Sequence, residues 1–139
     1  MLLENERIIG ASPTIVWDVT INVERWPQWT PTVETLERLD EGEFTVGSTV
    51  RIKQPGLPVA VWQVTSLTPG KSFVWETQVR GMRMIATHEL TPVKNGTSCT
   101  LRLRITGIVA LLLWPFIRSS ARESLEKENS ALQVECENR

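Results

Sequence analysis

The sequence predicts an α+β fold: a curved antiparallel sheet of six to seven strands with all its helices on one side, the last of them long and C-terminal. Three observations carry this. Between residues 32 and 106 the hydrophobic pattern has a period of two and is cut by turn signals at regular intervals. From Gly107 the period becomes helical and stays so to about Cys136. The chain has 139 residues, 41% hydrophobic and 22% charged, which is one ordinary domain over 1–139. A chain of that length hides roughly two thirds of its unfolded surface and needs neither disulfides nor a structural metal to fold.

Each element has a local reason. Residues 3–10 read as a strand whose phase is open, because Ile8 and Ile9 adjoin. Ser12 then caps a short helix, with Pro13 at its first position, where a missing N–H costs nothing. A second short helix is expected from a cap at Asn22 to Trp29, ending before Thr30-Pro31. Strands follow at about 33–39, 49–54, 59–67, 72–79, 83–93 and 97–106. They are separated by glycines 42 and 47, Pro55-Gly56-Leu57-Pro58, Pro69-Gly70, Gly81 and Asn95-Gly96. Asn95-Gly96 is the strongest of these, since a two-residue hairpin turn of type I′ needs positive φ at both central positions. With Thr97 it also spells a glycosylation sequon, which the turn role explains more simply. In the last segment Ile117, Ala121, Leu125, Leu132 and Cys136 form a stripe at helical spacing, while the part before Pro115 is apolar all round. A kink or break is expected at Pro115.

Composition removes several functions. Fifteen Lys and Arg balance sixteen Asp and Glu, no two basic residues adjoin, and the net charge is −1. A nucleic-acid partner, which needs clustered cations, is therefore not expected. Cys99 and Cys136 match no metal-ligand or CxxC spacing, and with one His they make no metal or other cofactor site. Two reduced thiols, and a start without a basic and apolar leader, point to a cytoplasmic protein. The longest apolar run, 108–117, is about ten residues against the roughly 20 needed to cross a bilayer, so stable membrane insertion is not expected. Aromatic usage is unusual: six Trp, three Phe and no Tyr.

Strand alternation sorts these residues by face. Cys99, Leu101, Leu103 and Ile105 point toward the helices, and Ser98, Thr100, Arg102 and Arg104 toward water. The same reading sends Trp62, Phe73, Trp75 and Met84 inward with the polar groups Gln54, Thr77 and His88. An aromatic wall with a few placed polar groups is the composition of a ligand pocket. It is also the composition of a face packed against a long helix.

The order strand, two short helices, six strands and long helix resembles the helix-grip fold of the START-like superfamily, also called SRPBCC or Bet v 1-like. Ala11-Ser12-Pro13-Thr14-Ile15-Val16-Trp17-Asp18, Glu24-Arg25-Trp26-Pro27-Gln28-Trp29-Thr30-Pro31, Val46-Gly47-Ser48, Arg51-Ile52-Lys53-Gln54-Pro55, Trp62-Gln63-Val64-Thr65 and Asn95-Gly96-Thr97 look like its bacterial polyketide cyclase/dehydrase and lipid-transport-like branch. The resemblance covers nearly the whole chain and is specific for fold rather than function. It implies a cavity between the sheet and the long helix that takes a small hydrophobic molecule or lipid. Here that cavity would be lined by Trp62, Trp75, Phe73, Met84, His88, Leu103, Gln54, Thr77 and Trp114.

Catalysis is the alternative. His88 is the only histidine and the one side chain that titrates near neutrality unperturbed, which makes it the candidate acid/base of a polyketide cyclase or dehydratase. No inward carboxylate is identifiable to orient it, and a histidine bonded within the core fits the same position. Aromatase/cyclase relatives are thought to use Arg, Tyr and acidic or His groups. This chain has no Tyr and turns its strand arginines outward, so the balance favours binding. Trp26 and Trp29, three apart, share a face and are expected to lock the helical elbow onto the sheet, with a place at the pocket mouth as the alternative. Trp114-Pro115-Phe116 would cap the pocket or form a homodimer contact, and a third reading is an interaction module with a collapsed cavity.

Overall fold

The computed structural model describes residues 1–139. One antiparallel sheet of seven strands carries the fold: β1 (Leu2–Ile9), β2 (Thr35–Arg38), β3 (Thr49–Lys53), β4 (Ala60–Thr68), β5 (Ser72–Val79), β6 (Met82–Val93) and β7 (Gly96–Thr106). Their order across the sheet is β1-β7-β6-β5-β4-β3-β2, so the first two strands in sequence form its opposite edges. The crossing between those edges is made by α1 (Pro13–Ile21), a 3-10 turn (Val23–Arg25) and α2 (Trp26–Trp29). The last element is α3 (Ile108–Glu137), a helix of 30 residues. This is the helix-grip arrangement.

Local chemistry accounts for most boundaries. The Ser12 Oγ accepts the Ile15 N–H at 3.3 Å, with Pro13 in the first turn, as the cap reading predicts. Asn22 makes no such bond: its side chain caps nothing, and the segment it was expected to open begins as a 3-10 turn. The β6–β7 hairpin turns one residue earlier than expected: its strands pair from Val93↔Gly96 to Arg83↔Thr106, so the central residues are Lys94 and Asn95, only Asn95 takes positive φ (+64°), and Gly96 opens β7. The open phase of β1 resolves with Ile9 fully buried and Ile8 exposed. A register shift between Val64 and Ser66 marks a bulge in β4, a device that bends a sheet and here adds to its curl.

Three expectations change. The strand expected over 33–39 pairs only from Thr35 to Arg38, because the ladder with β3 covers just four residues. Ser98 and Thr100 point outward but are buried. Their strand is flanked on both sides, and Thr100 sits between Glu6 and Glu89, whose longer side chains shade it. Finally, α3 runs through Pro115 without a break. The carbonyl that a proline leaves unpaired is that of Leu111, on the exposed side of the helix, where it is not shut away from solvent.

How α3 is held decides where space remains. Beyond Ala110, its fully buried residues are Asn129, Leu132 and Cys136, all in the C-terminal part. There the Asn129 Nδ2 donates to the Asn5 Oδ1 at 2.8 Å, to the Asn5 carbonyl at 3.3 Å and to the Cys99 carbonyl at 3.2 Å, tying helix to β1 and β7. Glu137 adds a bond from the Gly10 N–H at 2.7 Å, which holds its carboxyl below the usual carboxylate range. The helix is thus bolted down at its C-terminal end, and its other half stands over the concave face.

A candidate ligand site between sheet and helix

Between that raised half of α3 and the sheet lies a cavity of about 450 Å³. Its floor comes from alternate residues of neighbouring strands: Ile52 on β3, Trp62 on β4, Trp75 on β5, Met84 and His88 on β6, and Leu101 and Leu103 on β7. Leu113, Phe116, Ile117, Ala121, Leu125 and Glu128 of α3 form the roof, while Trp26 of α2 and Leu57 of the β3–β4 loop close one side. Gln54, at the end of β3, also reaches the wall.

The deepest part is aromatic. Trp75 is the hub, with ring centroids 5.4 Å from Trp26, 5.7 Å from Trp62, 5.2 Å from Phe73 and 6.2 Å from Phe44, mostly edge to face. Such geometry aligns the positive ring edge with the negative face and adds about 0.5–1.5 kcal/mol per pair beyond area burial. His88 stacks on Phe73 at 4.3 Å with an interplanar angle of 10°, which fixes the plane of the imidazole. Its Nε2 lies 3.7 Å from the Glu128 Oε2, and both side chains are largely shielded from solvent. That separation is beyond hydrogen-bond reach. The other ring nitrogen, Nδ1, is buried without a protein partner, as is the Trp62 Nε1.

Glu128 is therefore the inward carboxylate that strand reasoning left out. Its signal was in the helix stripe, where Ala121, Leu125 and Leu132 leave one gap that Glu128 and Asn129 fill. Among the expected lining residues, Trp62, Trp75, Met84, His88, Leu103 and Gln54 border the cavity. Phe73 stands behind His88 and is fully buried. Thr77 spends its hydroxyl on the Val61 carbonyl at 2.7 Å, and Trp114 packs half-buried against the core from α3, so neither reaches the lining. Trp26 combines two tasks: its Nε1 donates to the Thr20 carbonyl at 3.1 Å, which holds the elbow, and its ring walls the cavity. Phe44, in the polar stretch between β2 and β3, supplies an aromatic contact that no periodicity announced.

Comparison with known proteins agrees with this architecture. The solved structure of a START superfamily protein from Mycobacterium smegmatis superposes with a TM-score of 0.83 at 17% identity, covering 99% of this chain and 97% of that one. The Zhui aromatase/cyclase from Streptomyces sp. R1128 superposes with a TM-score of 0.79 at 15% identity, covering 100% and 94%. A hypothetical protein of Helicobacter pylori does so with a TM-score of 0.86 at 10% identity, covering 98% and 88%. At these identities the likeness is one of fold. No curated protein matches the sequence. The family model described as polyketide cyclase / dehydrase and lipid transport matches residues 2–137, and with nearly every residue inside that match the chain belongs to this family.

Proposed function

We propose that this protein binds a small, mainly apolar or aromatic molecule, lipids included, in the cavity between sheet and α3. The observation that carries the reading is the cavity itself: about 450 Å³, lined mainly by apolar residues with three tryptophans among them, and with polar and charged groups in the minority. Pockets for small ligands have this size and this ratio of apolar wall to placed polar groups. Trp62, Trp75, Met84 and Leu103 would supply apolar contact. Gln54 would orient a carbonyl or hydroxyl. A cytoplasmic setting, which keeps the two thiols reduced, goes with this reading, as does a single working domain over 1–139.

The test is to fill the space. Ala121 faces the cavity from α3 and is only half-buried, so Ala121→Phe adds a ring to the void without disturbing packed neighbours. The neutral probe N-phenyl-1-naphthylamine is expected to bind the parent, with energy transfer from the wall tryptophans, and to lose at least ten-fold in affinity in Ala121→Phe. Equal binding by both chains would overturn the reading.

One observation favours a second reading, an enzyme of the cyclase or dehydratase type. His88 faces Glu128 at 3.7 Å inside the cavity, so the imidazole has a carboxylate to steady the charge it gains on taking a proton beside a bound carbonyl. Under this reading His88→Gln abolishes turnover of a polyketide-like substrate and leaves its binding intact. Under the binding reading no turnover exists to lose.

A further inference from the structure

The first turns of α3 carry an apolar surface that the fold leaves uncovered. Ile108, Leu111, Leu112 and Phe116 are between 69% and 77% exposed. Their spacing of three, four and eight residues from Ile108 puts them on one side of the helix. Isolated exposed leucines are ordinary, but four large apolar groups on one helical face form a patch that solvent alone does not explain. The run is too short to cross a bilayer, and no helix of the protein is long and apolar enough to do so.

Charge says what covers the patch. Arg118 and Arg122, seven and eleven residues on from Leu111, continue the same helical face, both exposed and neither in an ion pair. Arg80 joins them from the β5–β6 turn, where Gly81 abuts Val109 at the start of the helix; it too is exposed and unpaired. Of the nearby carboxylates, Glu76 pairs with Arg83 and Glu123 with Lys127, while Glu126 is free but lies a turn beyond Arg122, away from the apolar residues. Between residues 80 and 122 the only acidic side chain is Glu89, which pairs with Arg102. A chain of net charge −1 thus presents an apolar face flanked by three free arginines.

We propose that this face docks reversibly on anionic lipid surface, with Ile108, Leu111, Leu112 and Phe116 in the headgroup boundary and Arg80, Arg118 and Arg122 against lipid phosphates. Interfacial helices combine these two ingredients, apolar area and a cationic rim, and arginine stems reach past apolar neighbours to place their charge at the interface. A second copy of the chain fits the face poorly. In a symmetric dimer the patch would meet itself and set arginines against arginines with no carboxylate between them. Leu113, Phe116 and Ile117 also border the cavity, so docking brings the cavity mouth to the lipid surface.

The experiment is co-sedimentation of the full chain with phosphatidylcholine vesicles, with and without phosphatidylglycerol, beside sedimentation equilibrium of the chain alone. Expected are a monomer, binding to the anionic vesicles only, and weakening as salt rises. Arg118→Ser/Arg122→Ser is expected to weaken that binding roughly thirty-fold, about five-fold per arginine. Leu112→Ser/Phe116→Ser should abolish it. Both variants change only exposed side chains, so their unfolding temperatures should match the parent's. Ala121→Phe should bind vesicles as the parent does, which separates failure of docking from failure of ligand binding. Equal binding to both vesicle types, binding to neither, undiminished binding by Leu112→Ser/Phe116→Ser, or self-association that this variant dissolves would each overturn the proposal.

Discussion

Replacing Asn129 should reveal how the helix is held over the sheet. Its side chain is fully buried, and one amide nitrogen faces three acceptors at 2.8, 3.2 and 3.3 Å. Two N–H groups serve three oxygens, so about two net hydrogen bonds are at stake, each worth roughly 1 kcal/mol. Asn129→Ala removes both and leaves a small void, while also removing the unpartnered Oδ1, so the loss should be about 2–3 kcal/mol. For a chain of this length that lowers the unfolding temperature by about 7–10 °C. Asn129→Asp keeps the shape but sets a carboxylate against three oxygens in a site without solvent, and should cost more than alanine. Urea denaturation followed by tryptophan fluorescence measures all three chains. If Asn129→Ala falls within about 0.5 kcal/mol of the parent, or Asn129→Asp is the more stable variant, the amide does not anchor α3 and the account of how the cavity is held open fails.

Two further outcomes follow from backbone and burial. Gly107 holds φ +113° against the Gly81 carbonyl, where a Cβ would overlap the oxygen, whereas Gly42 at φ +86° has open space around it. Gly107→Ala should therefore cost about 3 kcal/mol or more and Gly42→Ala about 1 kcal/mol, read by the same denaturation; equal costs would mean the close approach is not tight. Burial pushes the thiols of Cys99 and Cys136 up to about 12. A raised value means the folded chain keeps protons that the unfolded chain releases above about pH 9, so stability should fall as pH rises from there toward 12. In native protein neither thiol should react with a disulfide reagent at pH 8 until the chain unfolds, and prompt labelling of both would contradict that burial.

Local chemistry made much of this fold legible in the residues. Ser12-Pro13 starts a helix wherever it sits, because the cap bond closes within four residues. Asn95-Gly96 marks a hairpin, but one residue out of register: the turn is Lys94-Asn95, only Asn95 takes positive φ, and Gly96 is needed because a Cβ there would run into the Ile9 carbonyl. Period-two alternation put Trp62, Trp75, Met84 and His88 on one face before any partner for that face was known. The same alternation could not see shading by neighbours, which is why Ser98 and Thr100 are buried on the outer side. Nor could it find Phe44, whose burial depends on where a loop without periodicity comes to rest.

By itself, then, the sequence determined the order and type of the elements and which side of each strand is apolar, since these depend on spacing within a few residues. Only the tertiary structure decided that Glu128 meets His88 across 40 positions of chain, that Trp26 both closes the elbow and walls a cavity, and that α3 is bolted at Asn129 and Glu137, packed at Ala110, and raised over the sheet between them. Periodicity says which face of an element avoids water. It does not say how far away the opposite face will stand, and that distance separates a packed core from a cavity and leaves the first turns of α3 bare.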